Sequence, residues 1–406
     1  MKEPKKNVFV TGGTGFVGKA VLARMIDNPA YNRIYLLIRG KAGKSAKDRL
    51  THLISGMFPP GKLEHVRSKI IPIDGDLTLE KLGISDLQKQ VLIRDVHQIL
   101  HIGASTDFGA PIEESRRYNV EGTRLVLNLA EELKNEGMLG RFDYVSTAYV
   151  AGRMKGTVSE IDLERGQLFS NNYEQSKYEA ELLVRQYCNR LDIAIYRPSI
   201  VVGDSNSGYT PHFKVLYWPL MLLSKNLLPF FTCNQGAQLD VVPVDYVADG
   251  IVALMSRGFS IGQTYHLTAG LGNEVKIKGL LKDSYELANV VKKPILPFWL
   301  FNLIKKSPVR QMYSESFWDA VEMASPYHHY LRGTGTRFDN KSTNKQLADL
   351  GVVSPRWHLY KKEVLKYCLT SKWGKRVPLP EYVYYLPVSN RKEGQSVYDT
   401  GVTAFA

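Results

Sequence analysis

The chain reads NVFVTGGTGFVG at residues 7–18. A short apolar run leads directly into glycines with the spacing G-x-x-G-x-x-G, and an amphipathic run at 19–26 follows. This is the layout of a β-strand, a tight turn and a helix N-terminus, where backbone N–H groups and the helix dipole meet a pyrophosphate. The pattern predicts a dinucleotide site rather than a purely structural turn. Its candidate contacts are Gly12, Thr14, Gly15, Phe16, Val17 and Gly18.

Strand-like and helix-like runs alternate through the first half of the chain. The strand-like runs lie at 7–11, 33–38, 69–73, 98–102, 142–146 and 193–196, and the helix-like runs lie at 113–136 and 174–190. This alternation predicts an α/β fold, a Rossmann-type doubly wound parallel sheet covered on both faces. We expect this domain at 1–205, with returns to the sheet near 240–270. A smaller, mostly helical substrate-binding cap should occupy mainly 206–390, and 391–406 should form a loosely ordered tail.

Composition and charge narrow the function classes. The net charge of +13 favours an acidic partner such as a phosphate-rich cofactor, coenzyme A, an acidic carrier protein or a membrane surface. Nucleic acid is not expected, because the basic clusters lack the interleaved aromatics of a known binding module. Cys188, Cys233 and Cys368 are far apart, which indicates reduced thiols in a cytoplasmic protein and no metal site. No apolar run is long enough to span a bilayer.

The end of the second strand-like run bears on the choice of cofactor. Rossmann proteins that prefer NAD place a carboxylate there to hold the ribose 2′-hydroxyl. This chain reads LLIRGK at 36–41, with Arg39 and Lys41 and no carboxylate. A cation at this position pairs with a 2′-phosphate, so we predict NADPH. The alternative is that both side chains are solvated loop charges.

Two further strand ends carry candidate cofactor contacts. Asp76 and Leu77 follow the third strand-like run, where a carboxylate accepts from the adenine amino group and Leu77 covers the ring. Gly103 and Ala104 follow the fourth, where small residues let the backbone approach the cofactor. Ligands bind at the carboxyl ends of strands in sheets of this kind.

A Tyr-x-x-x-Lys pair, Tyr173 and Lys177, carries the candidate chemistry. Residues four apart share one helix face, and a nearby ammonium favours phenolate, which pulls a tyrosine pKa of about 10 toward the range of a general acid or base. The pair follows Asn171, a natural helix start, and comes after a strand that ends in Ser146 and Thr147. A hydroxyl at that strand end can stabilise an oxyanion.

The glycine turn, the strand-end hydroxyl and the Tyr-x-x-x-Lys, in this order, resemble an extended short-chain dehydrogenase/reductase. The resemblance narrows to the branch of fatty acyl-CoA reductases (male-sterility proteins) and thioester reductases and covers residues 7 to about 255. It rests on STAYV at 146–150, NYEQSKYEAE at 172–181, RPSIV at 197–201 and VPVDYV at 242–247. One departure is Gly103, where the branch usually has alanine.

The resemblance implies roles residue by residue. Thr147, Tyr173 and Lys177 would be the catalytic trio, with Lys177 also holding the nicotinamide ribose, and Ser146 is a rival to Thr147. Asn119 matches an asparagine that orders the site, although a helix-packing role is equally open. Cofactor contacts would also come from Pro198, Ser199 and Ile200.

The implied reaction is NADPH-dependent reduction of an acyl thioester to an aldehyde, and further to an alcohol if a second round follows. The acyl group would be carried by coenzyme A or by an acyl carrier protein acting in trans. The alternative keeps the fold and changes the substrate to a ketone, a sterol-like alcohol or a nucleotide sugar.

Three further expectations concern surfaces and packing. Apolar residues at 215–223 form either a wall for the acyl chain or plain cap core. The apolar, aromatic segment at 295–304, flanked by lysines, either rests on a lipid surface as a peripheral membrane contact or is an ordinary buried helix. The helix-like runs at 113–136 and 174–190 offer faces for a homodimer.

Overall fold

A computed structural model describes residues 5–41, 43–213, 216–225, 229–234, 236–256, 262–323, 327–333 and 335–376. The tail predicted at 391–406 lies outside these ranges. Within them the strands are β1 Lys6–Thr11, β2 Tyr31–Ile38, β3 Ile70–Asp74, β4 Gln98–His101, β5 Arg141–Val145, β6 Gly156–Val158, β7 Ile193–Pro198, β8 Ile200–Val202, β9 Phe231–Thr232, β10 Gln238–Leu239, β11 Val241–Pro243, β12 Thr264–Leu267, β13 Val275–Lys276, β14 Ile295–Leu296 and β15 Thr336–Phe338.

Seven of these strands form one parallel sheet in the order β12-β7-β5-β4-β1-β2-β3. The order reverses between β1 and β4, which is the switch point where open α/β sheets bind ligands. The prediction of an α/β fold with a doubly wound parallel sheet is confirmed. β12, at 264–267, is the edge strand beside β7.

The helices are α1 Phe16–Ile26, α2 Ala46–Met57, α3 Leu63–Lys69, α4 Asp86–Asp95, α5 Ile112–Arg116, α6 Gly122–Glu136, α7 Asn172–Gln186, α8 Tyr217–Ser224, α9 Val244–Ser256, α10 Ile277–Ala288, α11 Phe298–Lys306, α12 Glu315–Met323, α13 His328–Arg332, α14 Lys341–Ala348 and α15 Trp357–Thr370. None of the helices in the described part of the chain combines the length and the apolar character needed to cross a membrane.

The helix expected at 113–136 is not continuous. A π-helical turn, Arg117–Glu121, separates α5 from α6. Turns of this kind occur mostly at functional sites, and this one carries Asn119 with its side chain buried. The helix expected at 174–190 begins at Asn172, after an N-cap in which the Asn171 side chain accepts from the backbone N–H of Glu174 at 2.9 Å, and it ends at Gln186.

Two apolar cores cover the faces of the main sheet, and a third lies in the C-terminal half. α1 and α9 pack together on one face of the sheet, and α4, α6 and α7 cover the other. The third core joins α8, α10, α11 and α15, with the short strand pairs β10–β13 and β9–β14 beside them. Its contact with the first turn after β5 places this helical part over the carboxyl ends of the strands.

Candidate active site

The glycine turn between β1 and α1 leaves no room for side chains. A Cβ at Gly12, whose φ is +74°, would lie 2.5 Å from the backbone nitrogen of Gly103, and one at Gly18 would lie 2.2 Å from the carbonyl oxygen of Gly12. A Cβ at Gly103 would lie 2.5 Å from Leu77 Cδ1. The turn, the first turn of α1 and the end of β4 are therefore held at backbone contact distance, which forms a cradle with the helix N-terminus beside it.

The cradle opens into a cleft of about 670 Å³ above the carboxyl ends of the strands. Nearly all of the predicted site residues line this cleft: Gly12, Thr14, Gly15, Phe16, Val17, Gly18, Arg39, Asp76, Leu77, Gly103, Ala104, Thr147, Tyr173, Lys177, Pro198, Ser199 and Ile200. Lys41 and Asn119 are the two exceptions. Lys41 is exposed, bridges to Lys44 through the backbone and is not among the residues that line the cleft, so its contact with the cofactor stays a prediction.

The end of β2 carries a small polar cluster. The Arg39 guanidinium donates to Asp76 at 3.3 Å, and a hydrogen bond with the Tyr118 hydroxyl is the main cause that raises the pKa of Arg39. Arg49, on α2, donates to the carbonyl oxygen of Arg39 and lines the same cleft. Arg49 and Tyr118 could not be predicted as site residues, because each lies on a helical turn away from any strand-end motif. Asp76 also accepts from the backbone N–H and the hydroxyl of Thr78, which help to keep its pKa below the usual range.

The hydroxyls of Thr147 and Tyr173 meet on the opposite wall of the cleft. Thr147 follows β5 and caps the next turn, where its hydroxyl accepts from the backbone N–H of Tyr149 at 3.3 Å. Tyr173 lies in the first turn of α7, and the ring of Phe108 stacks on it at 5.1 Å between centroids. Burial raises the pKa of Tyr173 to about 12, and its hydrogen bond with Thr147 opposes this shift. The lowered pKa of Tyr173 that was expected from the sequence is therefore wrong, because burial outweighs the hydrogen bond.

The rival hydroxyl, Ser146, is engaged elsewhere. It donates to the buried carboxylate of Glu181 at 2.6 Å. Arg197 donates to the same carboxylate at 2.6 Å, and the positive charge of Arg197 is the main cause that holds the pKa of Glu181 below its usual range against burial. This arrangement leaves Thr147 as the strand-end hydroxyl that contacts Tyr173.

Lys177 is fully buried one helical turn after Tyr173. Its ammonium donates to the Tyr144 hydroxyl at 2.7 Å and to the carbonyl oxygen of Val145 at 2.9 Å. Burial lowers the pKa of Lys177 to about 7, although the charge of Glu181 works in the opposite direction. A buried amine with this pKa exchanges its proton near neutrality.

Asn119 holds the parts of the site together from behind. Its side-chain oxygen accepts from the backbone N–H of Ser105 at 2.7 Å, and its amide donates to the carbonyl oxygen of Ser105 at 3.1 Å and to the Ser176 hydroxyl at 2.9 Å. It therefore links the loop after β4 to the catalytic face of α7. The side chain does not line the cleft, which supports a positioning role.

The cap closes the cleft through α13. The Tyr330 hydroxyl donates to the buried carboxylate of Glu174 at 2.8 Å, and His329 lies 3.1 Å from the same oxygen. Tyr330 also packs edge-on against Tyr149 at 5.2 Å and lines the cleft. Within the segment predicted as an acyl wall, Leu216 and Tyr217 line the cleft, whereas Val215 and the Trp218 side chain lie outside what the structure describes.

Residues 10–251 match the family model described as male sterility protein, which is an NAD-binding model. Accordingly, the chain binds a nicotinamide dinucleotide. Fatty acyl-CoA reductase 1 of Rattus norvegicus is 29% identical over 342 residues, 74% of this chain and 66% of the relative. The protein of the same name from Mus musculus is 30% identical and covers 81% of this chain and 70% of the relative. A fatty acyl-CoA reductase of Drosophila melanogaster is 28% identical and covers 69% and 60%. The chain thus spans only 60–70% of the length of these relatives.

Solved structures agree with the fold. The terminal R domain from the myxalamid PKS-NRPS biosynthetic pathway superposes with a TM-score of 0.76 at 28% identity and covers 94% of each chain. The reductase domain of a nonribosomal peptide synthetase from Mycobacterium tuberculosis gives a TM-score of 0.69 at 17% identity, covering 92% of this chain and 93% of that one. A UDP-glucuronic acid 4-epimerase from Bacillus cereus, at 21% identity and a TM-score of 0.55, covers 72% of this chain and 87% of that one. The last two share the fold alone.

Proposed function

The chain belongs to the male sterility protein family, and we propose that it is an NADPH-dependent reductase that converts an acyl thioester into an aldehyde. One observation carries this proposal. A threonine hydroxyl, a tyrosine phenol and a lysine line the same cleft as the glycine cradle, so a thioester carbonyl between them faces hydrogen-bond donors on one side and the cofactor on the other.

The residues present fit an NADP dinucleotide. The cradle at Gly12 and Gly18 admits only backbone, which suits a pyrophosphate on a helix N-terminus. Arg39 and Arg49 supply guanidinium groups at the end of β2, and guanidinium is a good partner for a 2′-phosphate. The end of β2 itself carries no carboxylate to hold a free 2′-hydroxyl. These features support NADPH over NADH.

When bound, the reduced nicotinamide supplies a hydride to the carbonyl carbon of the thioester. The carbonyl oxygen gains negative charge in that step, and the hydroxyls of Thr147 and Tyr173 stabilise it as hydrogen-bond donors. Tyr173, with its pKa raised to about 12, keeps its proton at neutral pH until a strongly basic oxyanion forms, so it acts as the general acid. Collapse of the hemithioacetal then releases the aldehyde and a thiol. A second reduction at the same groups would give the alcohol.

An apolar extension of the cleft accommodates the acyl chain. Leu216 and Tyr330 line the cleft and also a second, small cavity of about 20 Å³ that is walled by aliphatic residues such as Leu220 and Leu281. These side chains are part of the cap core, as one of the two sequence interpretations expected, and their place beside the cleft supports the proposal that they also meet the acyl chain. A chain longer than a few methylenes requires these side chains to move apart.

The test is NADPH oxidation with a panel of acyl-CoAs of different lengths, followed by analysis of aldehyde, alcohol and free thiol. We expect NADPH oxidation to be coupled to thiol release. Tyr173→Phe should lower kcat by a factor of about 10²–10⁴ while NADPH still binds. Acyl groups on a carrier protein are tested in parallel. Unchanged turnover in Tyr173→Phe, or no thiol release from either donor, would contradict the proposal.

A further inference from the structure

α11 and the turn after it expose apolar side chains that a buried helix would cover. Trp299 is 69% exposed and Leu303 is 59% exposed, and Met312, in the 3-10 turn Pro308–Met312, is 81% exposed. Val309 in the same turn is also exposed. The turn packs against α11, and we call Trp299, Leu303, Val309 and Met312 the α11 surface. Neighbouring exposed apolar groups of this kind mark interaction sites.

The helix is fixed to the cap by its other face. Phe301 is buried, with its ring 6.1 Å from that of Phe230 and 6.2 Å from that of Trp318. Trp299 and Leu303 are four residues apart, so they share the opposite face and point away from this core. The expectation of an ordinary buried helix is therefore correct for the face with Phe301. It is wrong for the opposite face, where Trp299 and Leu303 are exposed.

Basic residues flank α11 along the chain. Between 291 and 312 the chain has Lys292, Lys293, Lys305, Lys306 and Arg310 and no acidic residue. Carboxylates come from the adjoining α12, where Glu322 lies 3.9 Å from the ammonium of Lys305. Residues 291–312 by themselves have a net charge of +5. Positive charge next to exposed apolar side chains matches a lipid surface with anionic headgroups.

We propose that the α11 surface docks on an anionic lipid surface, with Trp299, Leu303 and Met312 in the headgroup–acyl boundary and the lysines on the phosphates. A lipid surface accounts for both components, since its anionic headgroups pair with the lysines and its acyl boundary takes up the indole and the leucine. Basic amphipathic helices bind the interface through apolar burial and electrostatic attraction together.

Apolar side chains lead from this surface toward the cleft. Phe301 on the inner face of α11 lines a cavity of about 50 Å³ together with Pro219, Phe231 and Leu331. Pro219, Phe231 and Leu331 also line the cavity of about 20 Å³. Leu216 and Tyr330 line both that cavity and the cleft. A docked enzyme would therefore have its acyl-accepting core next to the membrane. This link rests on the proposed function, whereas the docking itself does not.

The test is co-sedimentation of the full chain with vesicles of phosphatidylcholine, with and without phosphatidylserine, in the absence of substrate and cofactor. We expect binding to the phosphatidylserine vesicles that weakens with salt. The double variant Trp299→Glu/Leu303→Glu should weaken it by about tenfold or more, because two apolar anchors are lost. Lys305→Gln/Lys306→Gln should weaken binding to the anionic vesicles alone.

Matched controls are Leu87→Glu on α4 and Ile161→Glu in the loop after β6. Both replace an apolar side chain that is 83% exposed and lies outside the α11 surface. Both control variants should bind the vesicles as the parent protein does. Tyr173→Phe should also bind the vesicles normally although it no longer reduces thioesters, which separates docking from catalysis. No preference for phosphatidylserine vesicles, or full binding by the Trp299/Leu303 variant, would overturn the proposal. The proposal would also be overturned if the Trp299/Leu303 variant no longer bound an acidic carrier protein but still bound the vesicles.

Discussion

The ammonium of Lys177 lies 2.7 Å from the hydroxyl of Tyr144, with the ammonium also 4.3 Å from the centre of that tyrosine's ring. Tyr144 is buried on β5, and a hydrogen bond joins its hydroxyl to Thr123 on α6. Thr123 in turn lies 3.0 Å from the buried ring of His101, whose pKa burial lowers to about 3. The candidate catalytic lysine is thus held by a neutral polar network between the sheet and the helices α6 and α7.

Tyr144→Phe should reduce turnover without unfolding the protein. The change removes one hydrogen bond to a charged group, which is worth about 1.5–3 kcal/mol, so we expect kcat to fall by about 10- to 100-fold. Steady-state kinetics with NADPH and the best acyl-CoA measure this effect, and the melting temperature reports folding. A phenylalanine variant with parental kcat would show that Val145 alone positions the ammonium.

The activity of the parent should decline on the alkaline side of neutrality. Because burial lowers the pKa of Lys177 to about 7, its ammonium is lost as pH rises through that value, and kcat/KM should fall over the same range. A pH profile of kcat/KM measures this limb. Tyr144→Phe should move the limb to lower pH, since the hydroxyl oxygen accepts a stronger hydrogen bond from the ammonium than from the neutral amine and so favours the charged form. A flat profile between pH about 6 and 9 would contradict the role of the Lys177 charge.

Cofactor preference should depend on Arg39 and not on Lys41. Arg39→Ala removes a charged donor that lines the cleft, so the KM for NADPH should rise by about 10- to 100-fold while the KM for NADH changes little. Lys41→Ala is the matched control, because Lys41 is exposed and lies outside the cleft lining. Equal effects of the two substitutions on the KM for NADPH would place the 2′-phosphate elsewhere.

Two helical glycines should respond to alanine in opposite ways. In Gly18→Ala the new Cβ would lie 2.2 Å from the Gly12 carbonyl oxygen, so the turn must shift, and NADPH binding should be lost. In Gly279→Ala, within α10, nothing lies within 4 Å of the new Cβ, and the free energy of unfolding should rise by about 1 kcal/mol. Thermal melting and NADPH titration measure both. Tight NADPH binding by the Gly18 variant would be inconsistent with the cradle.

Local patterns determined the features that were predicted correctly. The glycine spacing at 12, 15 and 18 requires a turn that only backbone can fill, and the Tyr173–Lys177 spacing sets one helix face, whatever surrounds it. The alternation of strand-like and helix-like runs leaves a covered parallel sheet as the arrangement that buries both faces. These features depend on neighbours a few residues apart, so they could be predicted from the sequence: the fold class, the glycine cradle and the shared helix face of Tyr173 and Lys177.

Only the tertiary structure decided which distant groups meet. Tyr144 reaches Lys177 because β5 lies beside α7, and Arg49 reaches the backbone of Arg39 because α2 folds back over the end of β2. The π-helical turn at Asn119 interrupts a periodic pattern that looks continuous. The pKa values of Tyr173 and Lys177 follow from burial, which depends on the whole packed molecule and not on their spacing. Sequence therefore fixes which chemical groups are present, and long-range packing sets their charge and their partners.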